Sequence, residues 1–414
     1  MSAVSHVAAG RAGSAQARTK AAARPSRRLK RVLDLDDFGR AVRRKLPRAV
    51  YAYVAHGAET ETALRGNRAA FDRWRLLTRV LVGVGQRSQE IELFGRRYAA
   101  PFGIAPMGGS ALVAYDGHAV MARAAAAAGI PFILSANSVI PMEEIAAANP
   151  QAWFAAYQSP TRTAVEGMVA RVQRAGIAVL VLTADVPIGS NREADARNGF
   201  GFPIRPTPRL ALDVALHPRW TIGVLARTFL TRGYPHIVNL EPDGGPGLFS
   251  RAVAGIAAHE DLSWDHLQLM RELWKGPLVL KGVLSPADVA RARDMGLDGV
   301  ILSNHGGRQL DYAPSPLQVL PPALAAARGM PVMIDSGFRR GTDVIKALAF
   351  GARAVFVGRP FLYAAALAGE PGVAHAIGLL AKELDVDLAL LGLRRVGEIT
   401  REVLLDAGAV EAAA

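Results

Sequence analysis

The sequence predicts an α/β protein built on a (β/α)8 TIM barrel, with an N-terminal helical cap and a long insertion after strand 4. Three observations predict it. From residue 101 onward, eight short apolar runs follow one another, each trailed by a polar or glycine-rich break and then a helical pattern. The eight units fill about 260 residues, a usual span for such a barrel. Chemically able residues gather at the C-terminal end of nearly every run, where barrel enzymes assemble their sites. A doubly wound open sheet is the structural alternative.

Before the barrel, Leu35-Asp36-Asp37 opens a cap (34–100) in which Phe38, Val42, Leu46 and Val50, spaced by four, share one helical face. The barrel (101–365) takes its strands from 101–107, 131–136, 153–157, 179–185, 277–283, 299–304, 331–337 and 354–360. Helical patterns fill segments between them, such as 117–128, 161–175, 285–295 and 341–350. Helices over 366–405 close the domain, and 406–414 read as a tail. The uncharged stretch 124–142 is long enough to raise a membrane span. Gly129, Pro131, Asn137 and Pro141 interrupt it, so it reads as a helix end, a turn and a buried strand, and no integral membrane segment is predicted.

The insertion (about 186–265) follows the fourth run, where a connection of a few residues is the norm. Its stretch 209–232 interleaves Leu210, Leu212, Val214, Trp220, Val224, Leu225, Phe229 and Leu230 with Arg209, Arg219, Arg227 and Arg232. Such a segment suits either a membrane interface, with cations at the head groups and apolar groups beneath, or a lid or subunit contact.

Composition narrows the chemistry. Half of the 414 residues are apolar and 21% are charged, the balance of a globular chain with a large core rather than a disordered one. With no cysteine, the chain has no disulfide, iron–sulfur cluster or thiol nucleophile, and no metal site is predicted. The net charge is +13, yet Arg11, Arg18, Lys20, Arg24, Arg27, Arg28, Lys30 and Arg31 stand in the first 31 residues without one acid, leaving +5 for the rest. The excess therefore marks a basic disordered tail (1–33), with an import signal as the alternative, and does not argue for a nucleic-acid partner.

Two motifs carry most of the chemical information. In SNHGGRQLD (303–311), His305 stands three residues before Arg308 across two glycines. A lone histidine is most often structural; one at a strand end beside Gly306, Gly307 and Arg308 reads as a base working with a cation on a small anionic substrate. In DSGFRRGTDVIKALAFGARAVFVGRP (335–360), two successive strand ends present Ser336-Gly337 with Arg339 and then Gly358-Arg359. That is where barrels bind phosphate through backbone N–H groups, here on a phosphorylated cofactor or substrate. Lys281, ending an otherwise apolar strand, needs an anion or an electron-rich ring, because an unpaired buried charge is costly.

On SNHGGRQLD, NREAD (191–195) and DSGFRRG (335–341), the chain resembles the FMN-dependent 2-hydroxy-acid dehydrogenase and oxidase family, over about residues 34–405. LHPRW (216–220) and IDSGFRRGTDVIKALAFGA (334–352) are similar to its mandelate-oxidising members. The resemblance implies FMN as cofactor and oxidation of an (S)-2-hydroxy acid to the 2-oxo acid, with (S)-mandelate or a similarly bulky acid expected and L-lactate as the alternative. It makes His305 the base, with Asp185 stabilising the imidazolium. Arg192 and Arg308 become the carboxylate clamp, and Tyr53 and Tyr157 the substrate's hydrogen-bonding partners. Lys281 falls beside the flavin N1–C2=O edge. Pro106, Met107, Gly108, Ser135, Thr183 and Ser303 fall against the ring or ribityl chain, and Asp335, Ser336, Gly337, Phe338, Arg339, Gly358 and Arg359 around the phosphate.

Whether the proton leaves from carbon, giving a carbanion, or from the hydroxyl with hydride transfer stays open. Gly108 stands where the family's oxidases tend to carry alanine, which favours a dehydrogenase passing electrons to a quinone or other carrier over an oxidase using oxygen. The family also implies a homo-oligomer, a tetramer, and the insertion implies a cytoplasmic protein peripheral to the inner face of the cytoplasmic membrane. The chain departs from the pattern at Ala155, where the family has a glutamine, at Met107, where threonine is frequent, and around Asn137. An isomerising FMN barrel or a non-catalytic flavin-binding protein are the competing readings, and His305, Arg308 and Arg192 together argue against both.

Overall fold

The computed structural model describes residues 29–157, 159–201, 203–252 and 260–408. Most of the predicted basic tail (1–28 of 1–33) and residues 409–414 of the C-terminal one lie outside the described residues. Residues 29–33 are part of the packed structure, with Leu29 and Val32 buried in the core.

Eight parallel strands form the centre: β1 (Phe102–Ile104), β2 (Ile133–Ser135), β3 (Trp153–Ala156), β4 (Val179–Thr183), β5 (Leu278–Val283), β6 (Gly299–Leu302), β7 (Val332–Ile334) and β8 (Val355–Val357). From β2 onward each is paired with the next, and β8 returns to β1 through Val355↔Phe102 and Val357↔Ile104. The remaining seam, between β1 and β2, is closed by the bridge Ile104↔Phe132, where the Ile104 N–H donates to Pro131 O at 2.9 Å. The sheet is thus a barrel and not the open alternative.

Side-chain parity explains both the core and the site. Ile133, Ala155, Val181, Val279, Ile301 and Met333 face inward and form a core of their own. Leu134, Phe154, Leu180, Leu182, Leu280 and Val300 face outward into the larger core shared with the helices. Because strand side chains alternate with a period of two, the residue two places after each inward one also faces inward. Those residues are Ser135, Tyr157, Thr183, Lys281, Ser303 and Asp335, one per strand, all at the C-terminal mouth. The opposite end is plugged by a hairpin, Ile91–Leu93 with Arg96–Tyr98. There Trp153 Nε1–H donates to the Tyr98 hydroxyl at 3.1 Å and the Phe94 ring leans on Trp153.

The cap differs from a purely helical one. Helices Leu35–Val42, Arg48–Ala55 and Thr62–Asp72 are joined by a break at Pro47, which lacks the N–H a continuous helix needs. Phe38, Val42, Leu46 and Val50 are all buried, so the shared face survives the break. Asp34 and Asp37 form a reciprocal capping box at the first helix. Within 34–100 lie also the hairpin and a strand, Trp74–Leu76, that pairs antiparallel with Leu404–Asp406. The helices expected over 366–405 accordingly stop at Leu390. Two 3-10 turns and that last strand follow, because the end of the chain is needed to complete a sheet with the cap.

The stretch 124–142 contains the end of helix Gly117–Ala128, closed by left-handed Gly129, and then β2. Helix Arg359–Leu390 is long and apolar enough by length and composition to cross a membrane. It breaks at Ala368 and Gly369, and it packs on helices Gly117–Ala128 and Leu35–Val42 as a core element. In the insertion, helix Pro208–Ala215 is capped by Thr207, and Pro218–Trp220 runs through a wider π-helical turn, Thr221–Ala226, into Arg227–Arg232. Trp220 anchors it, buried, with Nε1–H donating to Leu112 O at 2.8 Å, while Arg232 grips Asp116 and Glu144. Leu210, Val214, Val224 and Leu225 turn to the core, and Leu212, Leu216, Ile222 and Leu230 are exposed.

Candidate active site

A cavity of about 490 Å³ opens at the C-terminal mouth of the barrel. It is lined by Tyr53, Pro106, Met107, Gly108, Tyr157, Arg192, Lys281, His305, Arg308, the 335–339 turn, Gly358 and Arg359. Asp185, Ser135, Thr183 and Ser303 stand directly behind that lining. The residues singled out in the sequence therefore converge from all eight strands and the cap on one place.

His305 follows β6 in the left-handed region, with φ of +56°, which costs a non-glycine residue on the order of 1 kcal/mol and persists because its surroundings hold it. Its N–H donates to Ser303 Oγ at 3.0 Å. Its Nδ1 lies 3.1 Å from both Asp185 carboxylate oxygens. A carboxylate only accepts, so Nδ1 carries the proton and Nε2 is left as an acceptor facing the cavity. Burial pushes the imidazole below its ordinary value, with Asp185 pulling the other way and Lys281 and Arg192 adding to the depression. Burial pushes the Asp185 carboxyl up, but the adjoining His305, the Lys281 ammonium and the hydrogen bond from His305 together outweigh it and hold it low. The result is a neutral base beside an ionised partner.

Asp185 can stand so near because of Gly282. That glycine has φ of +99° at a register shift in β5, and a Cβ there would fall 2.5 Å from Asp185 Cβ and Cγ. One residue earlier, Lys281 is fully buried, 3.2 Å from Asp335 Oδ2 and donating to Ser303 Oγ at 3.0 Å. The anion that the buried lysine required is thus Asp335. Burial pulls Lys281 down, and Asp335 and Asp185 more than reverse it.

Two arginines face the same space. Arg192 donates to Ser190 Oγ at 2.9 Å and to Gln309 Oε1 at 3.0 Å, and burial and the charge of Arg308 depress it to about 10. Arg308 donates to the carbonyls of Tyr53 and His56 and lies over the Tyr53 ring at 4.9 Å. Among the described residues neither of these guanidinium groups forms an ion pair, though Asp195 attracts both from farther off, and an anion between them would relieve their mutual repulsion. Tyr53 stacks on Phe200 at 4.5 Å, and its hydroxyl reaches toward Gly108 O at 3.5 Å. Burial pushes the Tyr157 phenol well above its ordinary value, so it stays a donor.

At the other end, Arg359 donates to three carbonyls, Val54 O, Gly306 O and His56 O, and is depressed to about 9, first by burial and then by Arg308. Arg339 meets Asp36 at 3.1 Å and Phe338 O at 2.8 Å. Ser336, at φ of +76°, donates to Asp335 and accepts from the Gly306 N–H. The Phe338 side chain turns away to pack on Phe71, leaving only its backbone for a ligand. Thr183 Oγ1 is buried with no hydrogen-bond partner among the described residues. A buried hydroxyl aimed at the mouth, a lysine beside it and two half-buried guanidinium groups suit a flavin mononucleotide: a polar ring edge at one end, a phosphate at the other. Ala155, fully buried in register with Ser135 and Val181, offers only a methyl group on this wall.

Several contributors escaped the sequence reading. Gln309 ties Arg192 to the Asp185 carbonyl, 2.9 Å from it. Asp311 accepts from the Thr60 and Ala63 N–H groups; against its burial, bonds from Thr60, Ala63, Thr62 and Tyr312 hold it at about 2. Asn304 and Asn67 exchange amide bonds. The signal lay inside SNHGGRQLD, where six of nine positions are polar: its middle serves the cavity and its flanks staple the cap. His118 carried no such signal. It is fully buried, accepting from Ser110 Oγ and donating to Met107 O, each at 2.7 Å, and burial depresses it to about 4.

The fold and the site define a flavin-dependent barrel with a base and an anion clamp. The model of the FMN-dependent dehydrogenase family matches residues 42–406, and the chain belongs to that family. It is FMN-dependent. It is 38% identical to (S)-mandelate dehydrogenase of Pseudomonas putida over 384 residues, 92% of this chain and 96% of the relative. It is 40% identical to L-lactate dehydrogenase of Caulobacter vibrioides over 379 residues, 89% and 97% of the two chains. Among solved structures, that of the monotopic membrane protein (S)-mandelate dehydrogenase superposes with a TM-score of 0.83 at 37% identity, covering 90% of this chain and 99% of that one. A mandelate oxidase superposes with a TM-score of 0.74 at 34% identity, covering 90% and 98%.

Proposed function

We propose that the chain oxidises an (S)-2-hydroxy acid with a bulky, mandelate-like side chain to its 2-oxo acid and passes the electrons to a quinone or another carrier. One observation carries it: a neutral His305, oriented by Asp185, shares a cavity with Arg192 and Arg308, which form no ion pair among the described residues and have only the longer-range charge of Asp195 beside them. FMN, when bound, accepts the two electrons of the substrate. Arg359, Arg339 and the backbone of the 336–339 and 358–359 turns would hold its phosphate; Lys281 would stabilise the negative charge that reduction brings, and Thr183, Ser135 and Ser303 would bind the ring or ribityl chain.

Arg192 and Arg308 grip the substrate carboxylate, a task that the guanidinium fork suits. Tyr53 and Tyr157 donate to the substrate oxygens. His305 Nε2 takes the proton and becomes an imidazolium, and Asp185, 3.1 Å from Nδ1, stabilises that charge. The exposed Leu212, Leu216, Ile222 and Leu230, with Arg209, Arg219 and Arg227 on the same segment, support a peripheral contact with the inner face of the cytoplasmic membrane. The monotopic relative supports the same reading, and a homo-oligomer completes the proposal.

The test is anaerobic mixing of the holoenzyme with (S)-mandelate, L-lactate and glycolate while flavin absorbance is followed, then admission of air. Bleaching by mandelate and slow reoxidation is the expected result. Fast reoxidation makes the chain an oxidase, and a flavin that none of the acids bleaches overturns the proposal.

A further inference from the structure

The substrate end of the cavity holds a polar side chain that serves neither the reaction nor any hydrogen bond among the described residues. Asn137 follows β2; its N–H donates to Ser135 Oγ at 3.2 Å and its carbonyl accepts from the Gly109 N–H at 3.3 Å, so the main chain fixes it. Its side-chain amide lines the cavity, half-buried, and makes no hydrogen bond among the described residues. Gly108 exposes that amide: a Cβ at 108 would stand 3.0 Å from Asn137 Cβ, whereas hydrogen leaves the space open. With a carboxylate at Arg192 and Arg308 and the reacting carbon at His305, the substrate side chain is left the wall formed by Asn137, Leu112, Val139, Ile237 and Leu248. Four members of that wall are apolar, and the fifth offers two donors and an acceptor.

An amide covered by a wholly apolar side chain loses its water and gains nothing in return. Resting on the reading of the cavity as a 2-hydroxy-acid site, we propose that Asn137 sets side-chain specificity and that the preferred acid is largely apolar with one hydrogen-bonding substituent, the class of the ring-hydroxylated arylglycolates. The amide accepts from or donates to the ring hydroxyl, while the four apolar residues cover the ring.

The experiment compares kcat/KM of the holoenzyme for (S)-mandelate, (S)-3-hydroxymandelate and (S)-4-hydroxymandelate by anaerobic flavin bleaching. One net hydrogen bond predicts that a hydroxylated acid outruns mandelate by about 3- to 10-fold. Asn137→Leu, close in volume but apolar, brings the ratio to about one, with flavin content and circular dichroism reporting its folding. Asn137→Ser, a second variant with a shorter polar arm, falls between. Mandelate matching or exceeding both hydroxylated acids in the wild type overturns the inference, as does a preference that persists in Asn137→Leu. If none of the three acids bleaches the flavin, the failure belongs to the 2-hydroxy-acid reading itself.

Discussion

His305 and Thr183 differ in what their replacement costs. His305→Gln removes the acceptor at Nε2 while leaving the phosphate end untouched, so kcat is expected to fall about 10²- to 10⁴-fold with flavin content unchanged, measured by single-turnover bleaching. Thr183→Val takes away a buried hydroxyl that has no hydrogen-bond partner among the described residues, so the apoprotein is expected to lose no internal bond. Its melting temperature without FMN should hold while FMN retention on dialysis weakens by about 3- to 10-fold, the worth of one hydrogen bond; a destabilised apoprotein refutes this role. His305 and Arg308 were legible because two glycines and a cation beside a histidine form a pattern within nine residues. Gly282 and His118 were not, since one matters for a Cβ that Asp185, far away in sequence, would meet, and the other looks like any helix residue until Met107 and Ser110 fold over it.

For whole elements, apolar character is the readable signal and direction is the hidden one. The eight strands stood out as runs because both faces are buried, yet for that same reason no alternation marked which side chains point inward. The insertion was legible as apolar and basic, but not which half of it touches the core: Trp220 and Val224 do, whereas Ile222 and Leu230 do not. That division yields a test. Ile222→Asp combined with Leu230→Asp places two charges on the exposed face, and co-sedimentation with anionic phospholipid vesicles should be lost while turnover with a soluble dye stays within about twofold. Retained sedimentation means that the membrane contact lies elsewhere.

The stability of the whole molecule should carry the mark of a group buried uncharged. His118 titrates near 4 in the folded chain against 6.5 in the unfolded one, so its contribution is complete above pH 6.5 and drains away as pH falls toward 4. The shift corresponds to roughly 3 kcal/mol. In urea titrations at pH 7 and pH 4, His118→Gln should lose less stability across that window than the wild type by about this amount; equal losses refute the assignment. At this scale the barrel was legible as a count of eight, whereas the joining of the chain's two ends was not. Trp74–Leu76 and Leu404–Asp406 are three residues each, too short to announce a sheet, and only the folded chain brings them side by side.

The closing contact of the barrel has a consequence for the newborn chain. Strand β1 emerges from the ribosome about 250 residues ahead of β8, the neighbour with which it is laddered. At roughly 5–20 residues per second, its apolar edge waits on the order of 10 to 50 seconds for that partner. Until then Phe102 to Ile104 is an open template for any passing strand, so overexpression in the cold, where translation slows further, should favour aggregates seeded by the amino-terminal half.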